Sequence, residues 1–329
     1  MEYQNSLQAT GDLANAIFCQ HNCYQPDRGT QQTILKDIKK NRQDHFASAK
    51  AEILQSSPAP LQRQLELLSE KGASCWLTAL PLKSCGFVFN KQEFHDAIAL
   101  RYNLTLSDLD RPKVCNCGKI NNINHCLTCK LGGYVALRHD SLLKKTAKMM
   151  ETAGCKDVKV EPSLINITTE ELPEGTSKED GARLDISARG LWQPLDRAFI
   201  DIRVLHPQAQ SNSRHKSLKQ MYHAHEHQKK KKYNARILQV EKASFSPIVF
   251  STTGGMGDEA TMLYKKLAIK TSKKTGQELS DVMCFIRRSL RFELLKTCLI
   301  SLRGYRGKPK IKPVDMAEID LNLIPKANY

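Results

Sequence analysis

Apolar positions recur at helical spacing through the first third of the chain, then give way to short alternating runs. From Gln31 to Leu54 they fall at Ile34, Leu35, Ile38, Phe46, Ala49 and Ile53, and from Pro58 to Ser69 at Leu61, Leu65, Leu67 and Leu68. Both spacings predict helices. A more apolar stretch opens at Gly72-Ala73-Ser74-Cys75-Trp76-Leu77 and ends near Phe89, and Lys91 to Tyr102 predicts a further amphipathic helix. Residues 1–112 therefore read as a helical N-terminal region. Further on, Arg138 to Ala153 carries Leu142, Leu143, Ala147, Met149 and Met150 at helical spacing, and Val158 to Glu161 is a short strand stopped by Pro162. Ile165 to Gly181, acidic and rich in Thr and Gly, predicts a loop. Ala182–Ala188 and Ala198–Val204 each alternate apolar and polar residues, the period of a half-buried strand, around a turn at Gly190-Leu191-Trp192-Gln193-Pro194-Leu195-Asp196. Ser217 to Tyr233 predicts a helix dense in Lys and His, and Arg236–Val240 and Pro247–Ser251 predict strand segments. Thr253-Gly254-Gly255-Met256-Gly257 then turns the chain into a helix running to about Thr271. A long helix from about Ser280 to Leu302 follows, with Met283, Ile286, Leu290, Leu294, Leu295 and Leu299 on its apolar side; it can pack internally or against a partner. The order helix, strand, strand, strand, helix, strand predicts a mixed α/β (α+β) domain over residues 136–303, and 304–329 read as a basic, Pro-containing, mobile tail.

The two alternating strands each carry an acid, Asp185 and Asp201. A hairpin folded symmetrically about Gln193 sets them opposite each other, with Cβ atoms roughly 5 Å apart. Two carboxylates so close repel unless a cation lies between them. Oxygen ligands of this kind favour magnesium or manganese over zinc. The bland alternative is an ordinary strand charge paired with Arg183 or Arg203.

Lys and Arg number 50 against 34 acidic residues, a formal charge of +16, which favours a polyanionic partner such as nucleic acid. Apolar runs are too short for a membrane span, and the N-terminus lacks the layout of a signal peptide. The expectation is an intracellular chain, nuclear or cytoplasmic, whose 11 cysteines are reduced or metal-bound. Cys115, Cys117, His125 and Cys129 place four soft or borderline ligands within 15 residues, which suits a structural tetrahedral zinc site over residues 113–135. Cys126 adjoins His125 and is the spare; Cys19, His21 and Cys23 are spaced too tightly to form a four-ligand site alone. The run Lys229-Lys230-Lys231-Lys232, with His215, His223, His225 and His227 nearby, reads as a solvated face, a nuclear-import signal or a track for a nucleic-acid backbone.

Residues 115–303 resemble the zinc knuckle plus restriction-like (PD-(D/E)XK) endonuclease of non-long-terminal-repeat retrotransposon polyproteins. The likeness rests on the Cys, Cys, His, Cys knuckle, on Arg183-Leu184-Asp185 with Leu in place of Pro, on Asp201, and on the order of elements. Gly72-Ala73-Ser74-Cys75-Trp76-Leu77 and Phe250-Ser251-Thr252-Thr253-Gly254-Gly255 also resemble reverse-transcriptase-associated proteins of animal genomes, a likeness that runs from about residue 72 to 306. The resemblance implies a metal-dependent DNA endonuclease of retroelement origin, with Mg2+ or Mn2+ on Asp185 and Asp201 and a structural Zn2+. DNA is the expected partner, RNA a second, and a retroelement reverse transcriptase a third. No Tyr-x-Asp-Asp signature is present, so the chain is not itself a working polymerase. The lysine expected two residues after the second acid is Arg203, which stays protonated but can hold a phosphate. Lys229 and Lys232, on the next helix beside Glu226, are candidates to supply the ammonium; Glu226 either supports the metal or makes an ordinary helix ion pair. Glu161 and Glu241, at the ends of expected strands, are further carboxylates. The alternatives are a nucleic-acid-binding module whose nuclease core no longer cuts, and a purely structural remnant of a polyprotein.

Overall fold

The computed structural model describes residues 28–104, 106, 113–168, 171–212 and 217–306. Among them are eight α-helices and one four-stranded mixed sheet. The expected Cys19–Cys23 cluster, His215 and the tail past Arg306 lie outside the described residues. The chain divides into two compact units between Gln62 and Arg63. The first holds α1 (Arg28–Ser56), which carries Leu35 and Phe46 exposed, and the start of α2 (Ala59–Ser69).

The second unit continues through α3 (Lys91–Tyr102), α4 (Ile123–Thr128), α5 (Tyr134–Thr152), β1 (Lys156–Val160), β2 (Ile186–Arg189) and β3 (Arg197–Leu205). After them come α6 (Leu218–Gln239), β4 (Ser244–Ser251), α7 (Asp258–Thr275) and α8 (Leu279–Arg303). The strands lie in the order β1-β2-β3-β4: the first three form an antiparallel meander, and β4, reached through α6, runs parallel to β3. The β2–β3 ladder pairs Ile186 with Ile200 and Ser187 with Phe199, which is the register of a hairpin folded about Gln193.

One sheet face packs Ile186, Ile200, Ile202, Ile248 and Phe250 against Leu142 and Met150 of α5, Leu263 of α7 and Leu290 of α8. Trp76 and Phe87 belong to that same core, so the residues just ahead of the knuckle fold with the sheet. Phe89 stacks on Phe292 with ring centroids 4.8 Å apart. The opposite face is covered by α6 at two separate places. Phe199 and Phe245 meet Tyr233 and Ile237, while Leu205 and Val249 meet Met221 and Tyr222. Asp201 and Arg203 occupy the strand between the two apolar patches.

The structure corrects the strand expected at Arg236–Val240. Helix α6, opened by a capping box of Ser217 and Gln220, runs unbroken to Gln239. Tyr233 and Ile237 are four residues apart and share the stripe that packs on the sheet, which a strand starting at Arg236 would break. Arg236 is fully buried and donates to the carbonyls of Ile165, Ser177 and Glu179 at 2.9, 3.2 and 2.9 Å. The expected loop thus lies on α6 and is fixed there by one guanidinium. Glu241 consequently follows a helix rather than ending a strand.

Just past β3, His206 joins the sheet to the knuckle. Its Nδ1 is 2.7 Å from Thr252 Oγ1 at the end of β4, and its Nε2 is 3.0 Å from Asn124 Oδ1 in α4. Burial, with a smaller push from Arg138, drives its pKa down to about 4. The ring therefore stays neutral in the folded protein while the unfolded chain takes up a proton near the ordinary histidine value. Stability from this group is present above about pH 6.5 and is lost as pH falls towards 4. The expected loss by pH 5 is about 2 kcal/mol. In thermal or urea melts at pH 7 and pH 5, His206→Asn should lose about 2 kcal/mol less than wild type between the two conditions.

Candidate functional site

The knuckle is a tight turn followed by a short helix. Val114 bridges Ile120, Cys115 N–H donates to Lys119 O at 2.8 Å, and Gly118, at φ 84°, closes the turn with an N–H bond to Cys115 O. A side chain at Gly118 would strain this left-handed turn. Asn122 caps α4 by accepting from His125 N–H, so His125 lies on the first turn and Cys129 at the last. The ligand atoms of Cys115, Cys117, His125 and Cys129 lie within 4.8 Å of one another.

Three of the six edges are close to those of a zinc tetrahedron. Bond lengths of about 2.3 Å to sulfur and about 2.05 Å to nitrogen give edges of about 3.8 Å between sulfurs and about 3.6 Å between sulfur and nitrogen. The observed separations are 3.9 Å for Cys115–Cys129, 4.0 Å for Cys117–Cys129 and 3.3 Å for Cys117–His125. Burial, then Arg306 and Lys119, holds the His125 pKa down, which favours the neutral ring a metal needs. The set fits a structural zinc with all four positions filled by protein. Cys126 stands outside it: fully buried in the core, it contacts Asn121 Oδ1 at 3.2 Å. Two guanidinia take the carbonyls at the end of α4, Arg138 that of Leu127 at 2.8 Å and Arg306 that of Cys126 at 2.9 Å.

The second constellation gathers around Asp185 and Asp201, the first turned to His139 of α5 and the second to Lys229 of α6. Asp185 immediately precedes β2, and continuing the ladder sets it opposite Asp201. Its main chain is held on both sides: its N–H donates to Ile200 O at 3.2 Å and its carbonyl accepts from Glu161 N–H at 2.9 Å. Its carboxylate accepts the Ile202 N–H, and the regular strand starts at Ile186, four residues later than the expected start at Ala182. The same oxygen, Oδ2, meets His139 Nε2 at 3.1 Å, and the other ring nitrogen is 3.1 Å from Asp140 Oδ1. The Asp185 bond lifts the His139 pKa to about 9. Asp185 thus pairs with a histidine of α5 and not with Arg183 or Arg203.

Asp201 is buried, and Lys229 Nζ lies 2.7 Å from its Oδ2. Burial raises its pKa against the pull of Lys229, and the charge on Asp185 raises it further. Arg203, two residues on, donates to Gln228 Oε1 at 2.7 Å. Arg203, Lys229, Lys231 and Lys232 line a cleft with Gly175 and Ser177. Lys232 lies over the Tyr233 ring at 5.0 Å, and nearby Asp201 helps raise its pKa, after the larger influence of Tyr233.

The remaining candidates go elsewhere. Glu226, buried on α6, accepts from Glu259 N–H at 3.2 Å at the start of α7. A Cβ at Gly257 would run into that carboxylate, so the glycine is what lets it reach the helix end. Glu161 is exposed, and Glu241 Oε1 accepts from Ile165 N–H at 2.6 Å. His225 turns to Asn212 Oδ1 at 3.0 Å while His223 and His227 are exposed, so the histidines do not form one patch. Sequence reasoning missed His139, which lies 46 residues before Asp185 and on a different element. Among the described residues, the cysteine–histidine set is the only compact group of three or more such ligands. Asp185 and Asp201 are each paired with a cationic side chain, His139 and Lys229. No family model and no curated protein matches the chain.

The zinc geometry makes a prediction about which cysteines matter. Purified protein should carry one zinc per chain by elemental analysis. Cys129→Ser should lose the metal, while Cys126→Ala should keep it and lose roughly 1–3 kcal/mol of stability through the cavity it leaves. A zinc-free wild type, or metal lost from Cys126→Ala, would contradict the assignment.

Proposed function

We propose that the chain is a metal-dependent endonuclease that hydrolyses DNA phosphodiester bonds on a restriction-endonuclease-like core. Three features support the reading. The helix, the antiparallel meander, the crossover helix and the parallel fourth strand have the order expected of that core. Asp185, just ahead of β2, lies close enough to Asp201 of β3 for its charge to raise the Asp201 pKa. A cleft with four cationic side chains opens beside them. The observation that carries most weight is the junction of acid and base: Asp201, opposite Asp185, touches Lys229 of the cleft at 2.7 Å.

Asp185 and Asp201 are the residues that would hold Mg2+ or Mn2+. Such an ion neutralises phosphate charge and lowers the pKa of water. Asp185 is kept in place by the Ile202 N–H, and His139 and Lys229 compensate the two carboxylates. Arg203 and Lys232 face a phosphodiester lying in the cleft; the guanidinium binds phosphate oxygens in a fork and the ammonium adds a point charge. Lys229 supplies the ammonium that Arg203 cannot replace, since a guanidinium does not give up its proton at neutral pH. The zinc site braces α4 against the core and takes no part in the chemistry.

The second reading is a nucleic-acid-binding module that no longer cuts. Arg203 in the lysine position favours it, as does the existing compensation of both acids by protein cations. Nicking of supercoiled plasmid with Mg2+ or Mn2+ decides between them. On the endonuclease reading, Asp185→Asn and Asp201→Asn each lower the nicking rate at least about 100-fold, and Lys229→Met lowers it about 10–100-fold while DNA binding changes little. Salt-sensitive binding with no nicking in wild type would leave the binding module; nicking unchanged in both aspartate variants would move the chemistry elsewhere.

A further inference from the structure

The loop between β1 and β2 supplies one wall of the cationic cleft, and that wall carries a serine. Ser177 and Gly175 line the cleft together with Arg203 of β3 and Lys229, Lys231 and Lys232 of α6. The main chain at Ser177 is held on both sides. Its N–H donates to Lys232 O at 2.8 Å, and its carbonyl accepts from Arg236 at 3.2 Å. At Gly175, where φ is 85°, a Cβ would come within 2.7 Å of Lys231 Cε, so the glycine leaves that side chain its place. The serine is thus set against cations that come from a strand and a helix. The cleft has a volume of about 440 Å³, against about 30 Å³ for one water in the liquid, so a tetrahedral phosphoryl group fits.

The neighbours of Ser177 in sequence have the opposite charge. Glu179 and Asp180 follow it at two and three residues, and both are exposed, as is Lys178. Thr176, the adjacent hydroxyl, is buried, whereas Ser177 is half-buried and faces the cleft. Residues 176–179 form neither helix nor strand. A serine on an irregular surface segment with acids on its C-terminal side has a charge pattern by which kinases select substrates. Once phosphorylated, it carries a charge of about −1.5 to −2 and three acceptor oxygens. Such a group opposite a cluster of cations is drawn in by charge-assisted hydrogen bonds. Here Lys231 and Lys232 are exposed and belong to the same cleft.

We propose that Ser177 is a phosphorylation site whose phosphoryl group occupies the cationic cleft and closes it to nucleic acid. The Ser177 hydroxyl oxygen attacks the γ-phosphorus of ATP on a kinase, the bond to the ADP oxygen breaks, and the hydroxyl proton passes to the kinase's base. The phosphoryl group then offsets about two of the four positive charges in the cleft. The modification stands apart from the endonuclease reading. Its consequence rests on the part of that reading that makes the cleft the track for a polynucleotide backbone.

The test uses the zinc-loaded full chain, a serine kinase that prefers acids after the target residue, and magnesium ATP. Mass spectrometry is expected to find phosphate on Ser177, and none there in Ser177→Ala. Phosphorus NMR then follows the second ionisation of the phosphoserine, whose ordinary value is about 6. The cleft cations are expected to lower it by at least about half a pH unit, and Lys231→Gln/Lys232→Gln to return it towards the ordinary value. Binding of a 20-base-pair DNA duplex is measured without magnesium or manganese. Phosphorylation is expected to weaken it at least tenfold and to make its dependence on log salt shallower by about 2, the loss of two phosphate contacts. The proposal is overturned if Ser177 takes no phosphate in the folded protein, or if the ionisation is the same with and without Lys231 and Lys232. It is equally overturned if the duplex binds the phosphorylated and unmodified chains alike, or binds neither. No readout involves cutting, so failure here and failure of the endonuclease reading are distinguishable.

Discussion

Helix α6 is fastened to the sheet at its two ends and not in its middle, and the acidic site exists because of that. Tyr233 and Ile237 press on Phe199 and Phe245 at one end; Met221 and Tyr222 press on Leu205 and Val249 at the other. Each such side chain contributes about 1.5–3 kcal/mol when fully buried. Between the two apolar contacts, a stretch of strand and a stretch of helix face each other with polar side chains. Asp201 is buried there because both ends hold the layers together, and Lys229 is its partner because it sits between the two fastened turns of α6. Leaving one of these charges without the other would be strongly destabilising in such surroundings.

The edges of the same strip are set by backbone bonding. Asp185 lies where the β2–β3 ladder gives way to a side-chain bond, its carboxylate taking the Ile202 N–H. On the other side of Asp201, the parallel register aligns Pro247 of β4. Proline supplies no N–H to a ladder and is accommodated on an outer strand. Asp201 is thus bordered by a carboxylate on one side and by a residue without a donor on the other. The local need for a cation is met from the helices.

What was legible in the sequence was what local spacing determines. The symmetry of the hairpin about Gln193 fixed which residues oppose each other, because an antiparallel pair has one register once its turn is known. The Cys115, Cys117, His125, Cys129 set was legible because the ligands lie within two turns of chain, and Cys126 could be set aside because it adjoins His125. What was not legible depended on tertiary contact. The final turn of α6 looks like a strand in isolation, and only the packing of Ile237 and the three carbonyls around Arg236 make it helical. Glu226 shares a helix with Lys229, yet it serves the start of α7, because no spacing rule reports where the next helix begins. His139 reaches Asp185 from α5, and Arg291 reaches the Ala73 carbonyl across 218 residues of sequence. Neither pairing leaves a trace in periodicity or composition.

Charge conservation links the resting arrangement to the proposed chemistry. Two carboxylates carry two negative charges, and the protein answers them with one imidazolium and one ammonium. A divalent cation carries the same charge as those two side chains together. A divalent ion held there would compete with His139 and Lys229 for the same two carboxylates. Lys229 lines the cleft shared with Arg203, Lys231 and Lys232, where a phosphodiester would bring a negative charge of its own. On the proposed reading, replacing the customary strand lysine with Arg203 divides two tasks between two elements. The strand would supply the phosphate fork, and the helix the ammonium.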